Sequence, residues 1–201
     1  MDADKGFYHL WKAYYAALTA GEKEPLLYAR ILMMMGFHQY HRQPYYYCLR
    51  HYYLPAKEQY QIAIEKGLSP TDKELEEMRL YTESLSYRYD CEAKPYDEQI
   101  AHIEGYEKLG DFSFYDSIVL FFSHDKNSIS MKIGHDTGIT AELRFEDIYD
   151  IEINSDPVTA WIDDFYCYPT FHDKSKFVFD IGYYRIICSH IKVISVSPIQ
   201  H

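Results

Sequence analysis

The chain has 201 residues, enough for one large domain or two small ones. Hydrophobic residues make up 47% and charged residues 25% of it, which is typical of a folded globular protein and argues against a disordered chain. The net charge of −11 argues against a nucleic-acid-binding protein and favours a basic partner, although an acidic surface also serves solubility alone.

The N-terminal half has helical periodicity. Apolar residues recur every three or four positions from Phe7 to about Leu109, which predicts five or six helices of modest length joined by short turns. Gly21 and Gly36 are expected to end the first two helices, and Pro44 is expected to start the third. Pro55 should interrupt the chain and start another helix.

Start and stop signals also bound the last two predicted helices. Ser69 is a suitable N-cap, and Pro70 fits the first position of the helix that follows. Pro95 is expected to open a last helix that Gly110 ends. The helical region is therefore predicted to span residues 1–110.

After Gly110 the apolar period changes to two, which indicates β-strands. Seven or eight strands are predicted, over about residues 118–122, 128–133, 139–145, 149–153, 161–168, 177–181, 185–190 and 191–196. Strands of this length and spacing favour an antiparallel β-sandwich or barrel. The sequence thus predicts an α+β protein, with an N-terminal helical bundle of five to six helices and a C-terminal antiparallel β domain at residues 111–201. Because almost no linker separates these two parts, they are expected to pack against each other.

The predicted β domain is the more acidic part of the chain. Residues 1–110 hold 13 basic and 17 acidic side chains, net −4, whereas residues 111–201 hold 7 and 14, net −7. Acidic side chains on strands form either an ordinary solvated face or a docking surface for a basic partner. The positions predicted to bind a partner are Glu142, Asp150, Glu152, Asp163 and Asp164.

Three short motifs in the β half follow one another in a characteristic order. The first is Tyr115-Asp116-Ser117-Ile118, the second is Phe145-Glu146-Asp147-Ile148, and the third is Trp161-Ile162-Asp163-Asp164-Phe165-Tyr166. Two closing strands follow, at 177–181 and 184–188. This order resembles an uncharacterised bacterial family with a domain of unknown function, some relatives of which look like immunity proteins of toxin systems.

The resemblance covers about residues 114–196 and nothing in the helical half. Tyr115 stands where the family pattern has a His, so no role of that His carries over. The resemblance implies a protein-binding function in a bacterial cytoplasm, and it implies no enzymatic activity.

A window without acidic residues lies in the helical half. Between Glu24 and Glu58 the chain has no Asp or Glu, although it is strongly acidic elsewhere. Such a basic, Tyr-rich surface could bind an anion or single-stranded nucleic acid, with rings that stack and arginines that pair with phosphate. The residues predicted for this alternative are Arg30, Arg42, Arg50, Tyr46 and His51. In the competing interpretation, the tyrosines pack the helices. The arginines and histidines then bridge to the acidic β half or to acidic residues of a later helix, at Glu74, Glu76, Glu77 and Glu83.

Evidence for catalysis or metal binding is weak in the sequence. His38 and His41 have the i, i+3 spacing of one helix face, and Cys48 lies nearby, so an enzyme with a site among these helices is a further alternative. Two histidines do not complete a zinc site, and no recognised catalytic or nucleotide-binding motif is present. We therefore expect no metal and no cofactor.

The cysteine pattern and the hydropathy bear on location. Four cysteines occur without a C-x-x-C pair, which favours reduced thiols in a cytoplasm. No signal peptide and no apolar run long enough to span a membrane is recognised. Together the observations predict a non-catalytic protein-binding protein, and the resemblance implies an immunity-type inhibitor of a basic toxin. An unrecognised enzyme and an anion or single-stranded nucleic-acid binder are the alternatives.

Overall fold

The computed structural model describes residues 3–20, 23–40, 42–153 and 161–198. The chain divides into two compact units, a helical unit at residues 1–90 and a β unit at residues 91–201. This confirms the predicted α+β class, with helices first and an antiparallel sheet after them. His41 and Gly21, two residues with predicted roles, lie outside the described residues.

The helical unit contains five α-helices within the part that the structure describes. They are α1 (Ala3–Ala20), α2 (Pro25–Gln39), α3 (Tyr45–Cys48), α4 (Leu54–Glu65) and α5 (Asp72–Glu92). Pro44 precedes α3 as predicted. The prediction that Gly36 ends α2 is wrong, because the helix continues to Gln39.

Pro55 lies in the first turn of α4, as predicted, but no break separates this helix from the one before it. The five residues Leu49–Tyr53 form a π-helical turn that joins α3 to α4, so the helical backbone runs on without a gap. The N–H of Leu54 donates to the carbonyl of Leu49, five residues back. Such a widened turn accommodates a proline, which lacks an N–H and crowds the preceding turn of a regular helix.

The start of α5 is a capping box at Thr71, not the predicted cap at Ser69. The Thr71 hydroxyl accepts a bond from the N–H of Glu74 at 3.2 Å, and the Glu74 carboxylate accepts the N–H of Thr71 at 2.8 Å. Each side chain thus accepts a hydrogen bond from the backbone N–H of the other residue, which satisfies two donors at the start of the helix. A Thr followed three residues later by Glu gives a stronger cap than Ser69 before Pro70.

Gly36 instead serves a close contact in the core of the helical unit. A Cβ at this position would lie 2.8 Å from two atoms of the Tyr53 ring, so only glycine fits without a shift. Tyr53 is fully buried and stacks on Tyr81 with ring centroids 5.3 Å apart. Phe37 meets both rings edge-on. The tyrosines of the acid-free window thus contribute substantially to packing.

The β unit contains seven strands among the described residues. They are β1 (Ser117–Asp125), β2 (Ser128–His135), β3 (Ile139–Ile153), β4 (Trp161–Ile162), β5 (Tyr166–Pro169), β6 (Phe177–Asp180) and β7 (Tyr184–Pro198). Two pairs of predicted strands merge into the long strands β3 and β7, whereas the strand predicted at 161–168 splits into β4 and β5. A short helix, α6 (Tyr96–Ile100), precedes the sheet and ends well before Gly110, the predicted stop.

The seven strands form one open antiparallel sheet in the order β4-β1-β2-β3-β7-β6-β5. The predicted sandwich or barrel is therefore wrong, since there is a single sheet with β4 and β5 at its edges. Irregularities in the β3–β7 pairing let both strands continue where separate strands were expected. Three residues, 163–165, connect the two edge strands, so the chain spans at most about 14 Å from Ile162 to Tyr166.

One face of the sheet carries the core of the β unit. Buried side chains alternate along the central strands: Ile129, Met131 and Ile133 on β2, and Ala141, Leu143 and Phe145 on β3. The segment before β1 covers this face with Ile103, Leu109, Phe112 and Phe114. Residues 91–116 thus belong to the β unit, although the helical periodicity extended the predicted helical region to residue 110.

The outer edge of β5 is capped by a side chain. The amide oxygen of Gln99, which is buried at the end of α6, accepts the N–H of Cys167 at 2.9 Å. The amide nitrogen of Gln99 donates to the carbonyl of Lys94 at 3.0 Å. Gln99 therefore takes the place of a neighbouring strand at this edge. Without it, the buried N–H of Cys167 would have no hydrogen-bond partner from a strand.

Candidate functional site

Two of the quoted motifs lie side by side at one edge of the sheet. Ser117 pairs with Ile162 and Ile118 pairs with Trp161, where β1 meets β4. The N–H of Asp116 donates to the carbonyl of Ile162 at 3.1 Å. Asp116 has a φ of 58°, a left-handed conformation that Asp tolerates better than most residues. The turn before β1 is therefore fixed against the strand that carries Trp161.

The segment that joins the edge strands presents two carboxylates to solvent. Asp163 and Asp164 are both exposed, whereas the next residue, Phe165, is fully buried. The Phe165 ring stacks on Phe114 with centroids 4.4 Å apart, and it meets Phe179 edge-on. Because Phe165 anchors the segment in the core, the two carboxylates beside it have a defined position.

Two tyrosines accompany these carboxylates. The Tyr115 hydroxyl donates to the carbonyl of Phe165 at 3.5 Å. Burial, and then the nearby Asp164 carboxylate, raise the pKa of Tyr115 and raise the pKa of Tyr166 to about 12. Glu92 and Asp180 contribute further to the raised pKa of Tyr166. Both phenols therefore stay protonated at neutral pH and remain hydrogen-bond donors next to an acidic segment.

Trp161 completes this region, which we call the edge surface. Its members are Tyr115, Asp116, Trp161, Asp163, Asp164 and Tyr166. Trp161 is 50% exposed, although an indole of this size is usually more buried. An exposed Trp in the same short segment as exposed carboxylates and a phenol has the composition of a protein-binding surface, in which aromatic residues anchor the contact.

The five predicted partner-binding acids do not form one cluster. Asp150 and Glu152 are exposed near the end of β3, and Glu152 lies opposite Arg185 on β7. The same row continues across β6 to Tyr166 on β5, three strand spacings or about 14 Å from Glu152. Asp163 and Asp164 are consecutive residues between the edge strands, and the structure places Asp150 and Glu152 elsewhere, on β3.

Glu142 lies apart from both pairs. It is half-buried on β3, between Lys132 on β2 and Ser195 on β7. Its carboxylate accepts a hydrogen bond from the Ser195 hydroxyl at 3.3 Å. These contacts give Glu142 a role within the sheet.

Asp116 and Trp161 were not predicted as partner-binding residues. Both belong to motifs that the sequence displayed, but nothing in the sequence showed that the two motifs are neighbours. That adjacency arises because β4 pairs with the start of β1, a contact between residues more than forty positions apart.

The residues predicted for anion binding also separate in the structure. Arg30 forms a bidentate ion pair with Glu74, at 2.5 and 3.2 Å, as the competing interpretation predicted for this arginine. The ring of His51 lies 4.2 Å from that of Tyr47, and Arg42 is exposed. Tyr46 and Arg50 do line one cavity of about 440 Å³.

The surroundings of Cys48 do not activate a thiolate. Its side chain is fully buried, and burial raises the pKa of the thiol, whereas a nucleophilic cysteine needs a lowered pKa. Burial also lowers the pKa of His38, and the charge of Arg42 lowers it further. Within the described residues, no group of three His, Cys, Asp or Glu is placed to hold a metal ion.

None of the helices in the described part of the chain is long and apolar enough to cross a membrane. Comparison of the chain with protein-family models, with curated proteins and with solved structures finds no match to any of them.

Proposed function

We propose that the chain is a non-catalytic protein-binding protein, and that the edge surface docks a basic partner. The observation that carries the proposal is the half-exposed Trp161, which the exposed Asp163 and Asp164 follow within three residues of the chain. In protein interfaces a few Trp, Tyr and Arg side chains supply most of the binding free energy. Carboxylates around such an anchor select a basic partner and speed association.

The acidic balance of this part of the chain supports the same proposal. Residues 111–201 have 7 basic and 14 acidic side chains, net −7. A field of this sign attracts a basic protein and repels nucleic acid. The resemblance of residues 114–196 to a family with immunity-like relatives suggests the partner class: a basic toxin whose activity the complex blocks in the cytoplasm.

The test is binding between the purified chain and the toxin encoded next to its gene, measured by surface plasmon resonance at several salt concentrations. Trp161→Ala should weaken the affinity by more than tenfold, mainly through faster dissociation. The double variant Asp163→Asn, Asp164→Asn should slow association and flatten its dependence on salt.

A matched control is available on the same sheet. Asp150→Asn with Glu152→Gln removes the same two charges at a site about 14 Å from Tyr166 and should change binding far less. Equal losses of binding for both double variants would show that only the net charge matters. That result would contradict docking at the edge surface. Absence of a complex at every salt concentration would contradict the proposed function.

A further inference from the structure

The helical unit contains a cavity of about 440 Å³ beside α5, which we call the α5 cavity. One wall comes from α3, the π-helical turn and the first residue of α4, and the other wall comes from α5. The walls include Tyr46, Leu49, Arg50, Leu54, Tyr89 and Asp90. The volume lies in the range of about 300–1,000 Å³ that is usual for small-molecule sites.

The π-helical turn shapes the first wall of the cavity. Tyr46, Arg50 and Leu54 are four residues apart, and in a regular α-helix such positions drift around the axis by about 40° at each step. A widened turn has more residues per turn, which reduces this drift and keeps the three side chains along one cavity. Turns of this kind are rare and are frequent at functional sites.

Two opposite charges line the cavity without pairing. Arg50 and Asp90 are both exposed, and neither side chain forms an ion pair or a hydrogen bond with any residue in the part of the chain that the structure describes. By contrast, Arg30 and Arg79 of the same unit are both ion-paired. The guanidinium and the carboxylate in the cavity therefore keep their full hydrogen-bonding capacity for a ligand.

The remaining walls suit an apolar group. Tyr46 and Tyr89 are 53% and 54% exposed, so both rings are open to contact. Leu54 is 44% exposed, and the buried Leu49 also lines the cavity. An aromatic or large aliphatic side chain fits between such walls, since rings and leucines gain free energy when they are covered.

The pair of charges selects the class of ligand. A simple anion would be repelled by Asp90, and a simple cation would be repelled by Arg50. A ligand with both charges avoids this repulsion, because its carboxylate can pair with the guanidinium while its ammonium donates to the carboxylate. Lys57 and Glu58 line an adjoining cavity that shares Arg50, but they are consecutive residues of opposite charge and leave the balance unchanged.

We propose that the α5 cavity binds a free α-amino acid with an aromatic or large aliphatic side chain. Arg50 pairs with its carboxylate, Asp90 accepts hydrogen bonds from its ammonium group, and its side chain lies against the two tyrosines. A ligand with so few atoms at an exposed site binds weakly, with a dissociation constant of about 0.1–1 mM. This inference does not depend on the edge surface or on its partner.

The first test is isothermal titration calorimetry of the full chain with L-phenylalanine. Phenylpropanoate lacks the ammonium group, L-phenylalaninamide lacks the carboxylate, and L-alanine lacks the ring. Each of these analogues should bind more weakly than L-phenylalanine, by about tenfold or more. No binding of L-phenylalanine at about 10 mM, or equal binding of any analogue, would overturn the proposal.

The second test assigns each charge to its group on the ligand. Arg50→Gln should bind L-phenylalanine no better than L-phenylalaninamide, because the carboxylate has lost its partner. Asp90→Asn should bind L-phenylalanine no better than phenylpropanoate, because the ammonium group has lost its partner. Each comparison is a double-mutant cycle in which one member is the ligand.

Matched controls lie in the adjoining cavity. Lys57→Gln and Glu58→Gln remove the same charges and should change the affinity for L-phenylalanine by less than about twofold. All four substituted side chains are exposed, so the variants are expected to fold. Equal loss of binding in Lys57→Gln and Arg50→Gln, or unchanged ligand preference in Arg50→Gln and Asp90→Asn, would contradict the proposed site.

Discussion

Two tyrosines with opposite hydroxyl environments, Tyr53 and the half-buried Tyr96, show how single side chains set stability. Tyr53 is fully buried, and its hydroxyl has no hydrogen-bond partner among the described residues. The Tyr96 oxygen accepts the N–H of Phe114 at 3.3 Å. Removing an unpaired buried hydroxyl relieves a desolvation cost, whereas removing a paired one leaves its partner unsatisfied. We expect Tyr53→Phe to keep or raise the free energy of unfolding and Tyr96→Phe to lower it by about 1 kcal/mol.

Urea denaturation at neutral pH measures both variants, and each is the control for the other because the chemical change is identical. A loss of about 1 kcal/mol or more in the free energy of unfolding of Tyr53→Phe would show that its hydroxyl has a partner.

The Tyr53 ring also contacts Gly36, so a side chain at position 36 would overpack the core. We expect Gly36→Ala to lower the free energy of unfolding by about 1–3 kcal/mol in the same urea denaturation.

The start of α5 is an element whose stability depends on pH. Glu74 belongs to the capping box, and its ion pair with Arg30 and its bonds to Thr71 lower the pKa of its carboxyl to about 2. A lowered pKa in the folded state means that this contribution is complete above the unfolded value of about 4.3 and is lost as the pH falls toward 2. Glu74→Gln should therefore lower the free energy of unfolding by about 1–2 kcal/mol at neutral pH and by progressively less below pH 4.

Denaturant titrations at several pH values test this, with Glu76→Gln as the matched control. Glu76 lies on the same helix and is ion-paired with Arg79, but it takes no part in the cap and is exposed. Its replacement should change stability little at any pH. A Glu74→Gln effect that is independent of pH would contradict the role of the carboxylate charge.

At the scale of elements, local patterns predicted well what depends on local chemistry. Apolar spacing predicted the helices and the strands, and Pro44 correctly marked the start of α3. Pro55 correctly marked the start of α4, but the π-helical turn that joins α4 to α3 without a break is revealed by no spacing rule. Gly36 was misread because its reason lies in a distant ring, that of Tyr53. The errors occur where tertiary contacts override a local preference.

At the scale of the whole molecule, the sequence could not predict how the strands assemble. Alternation shows which residues of a strand are buried, but a sandwich, a barrel and an open sheet share that pattern. The edge surface depends on the pairing of β4 with β1 and on the short segment that leads to β5. The structure therefore divides the five acids predicted from composition among three places in the β unit.

The four cysteines allow one experiment to follow both units. Cys48 lies in the helical unit, and Cys91, Cys167 and Cys188 lie in the β unit, all of them buried. Burial raises the pKa of Cys48 and raises the pKa of Cys188 to about 12, so little thiolate is present at pH 8. We expect the native chain to react with iodoacetamide far more slowly than the urea-unfolded chain, with every site identified by mass spectrometry. Rapid labelling of Cys48 alone would contradict its structural role and would instead favour the enzyme alternative, since a catalytic thiolate must be both ionised and accessible.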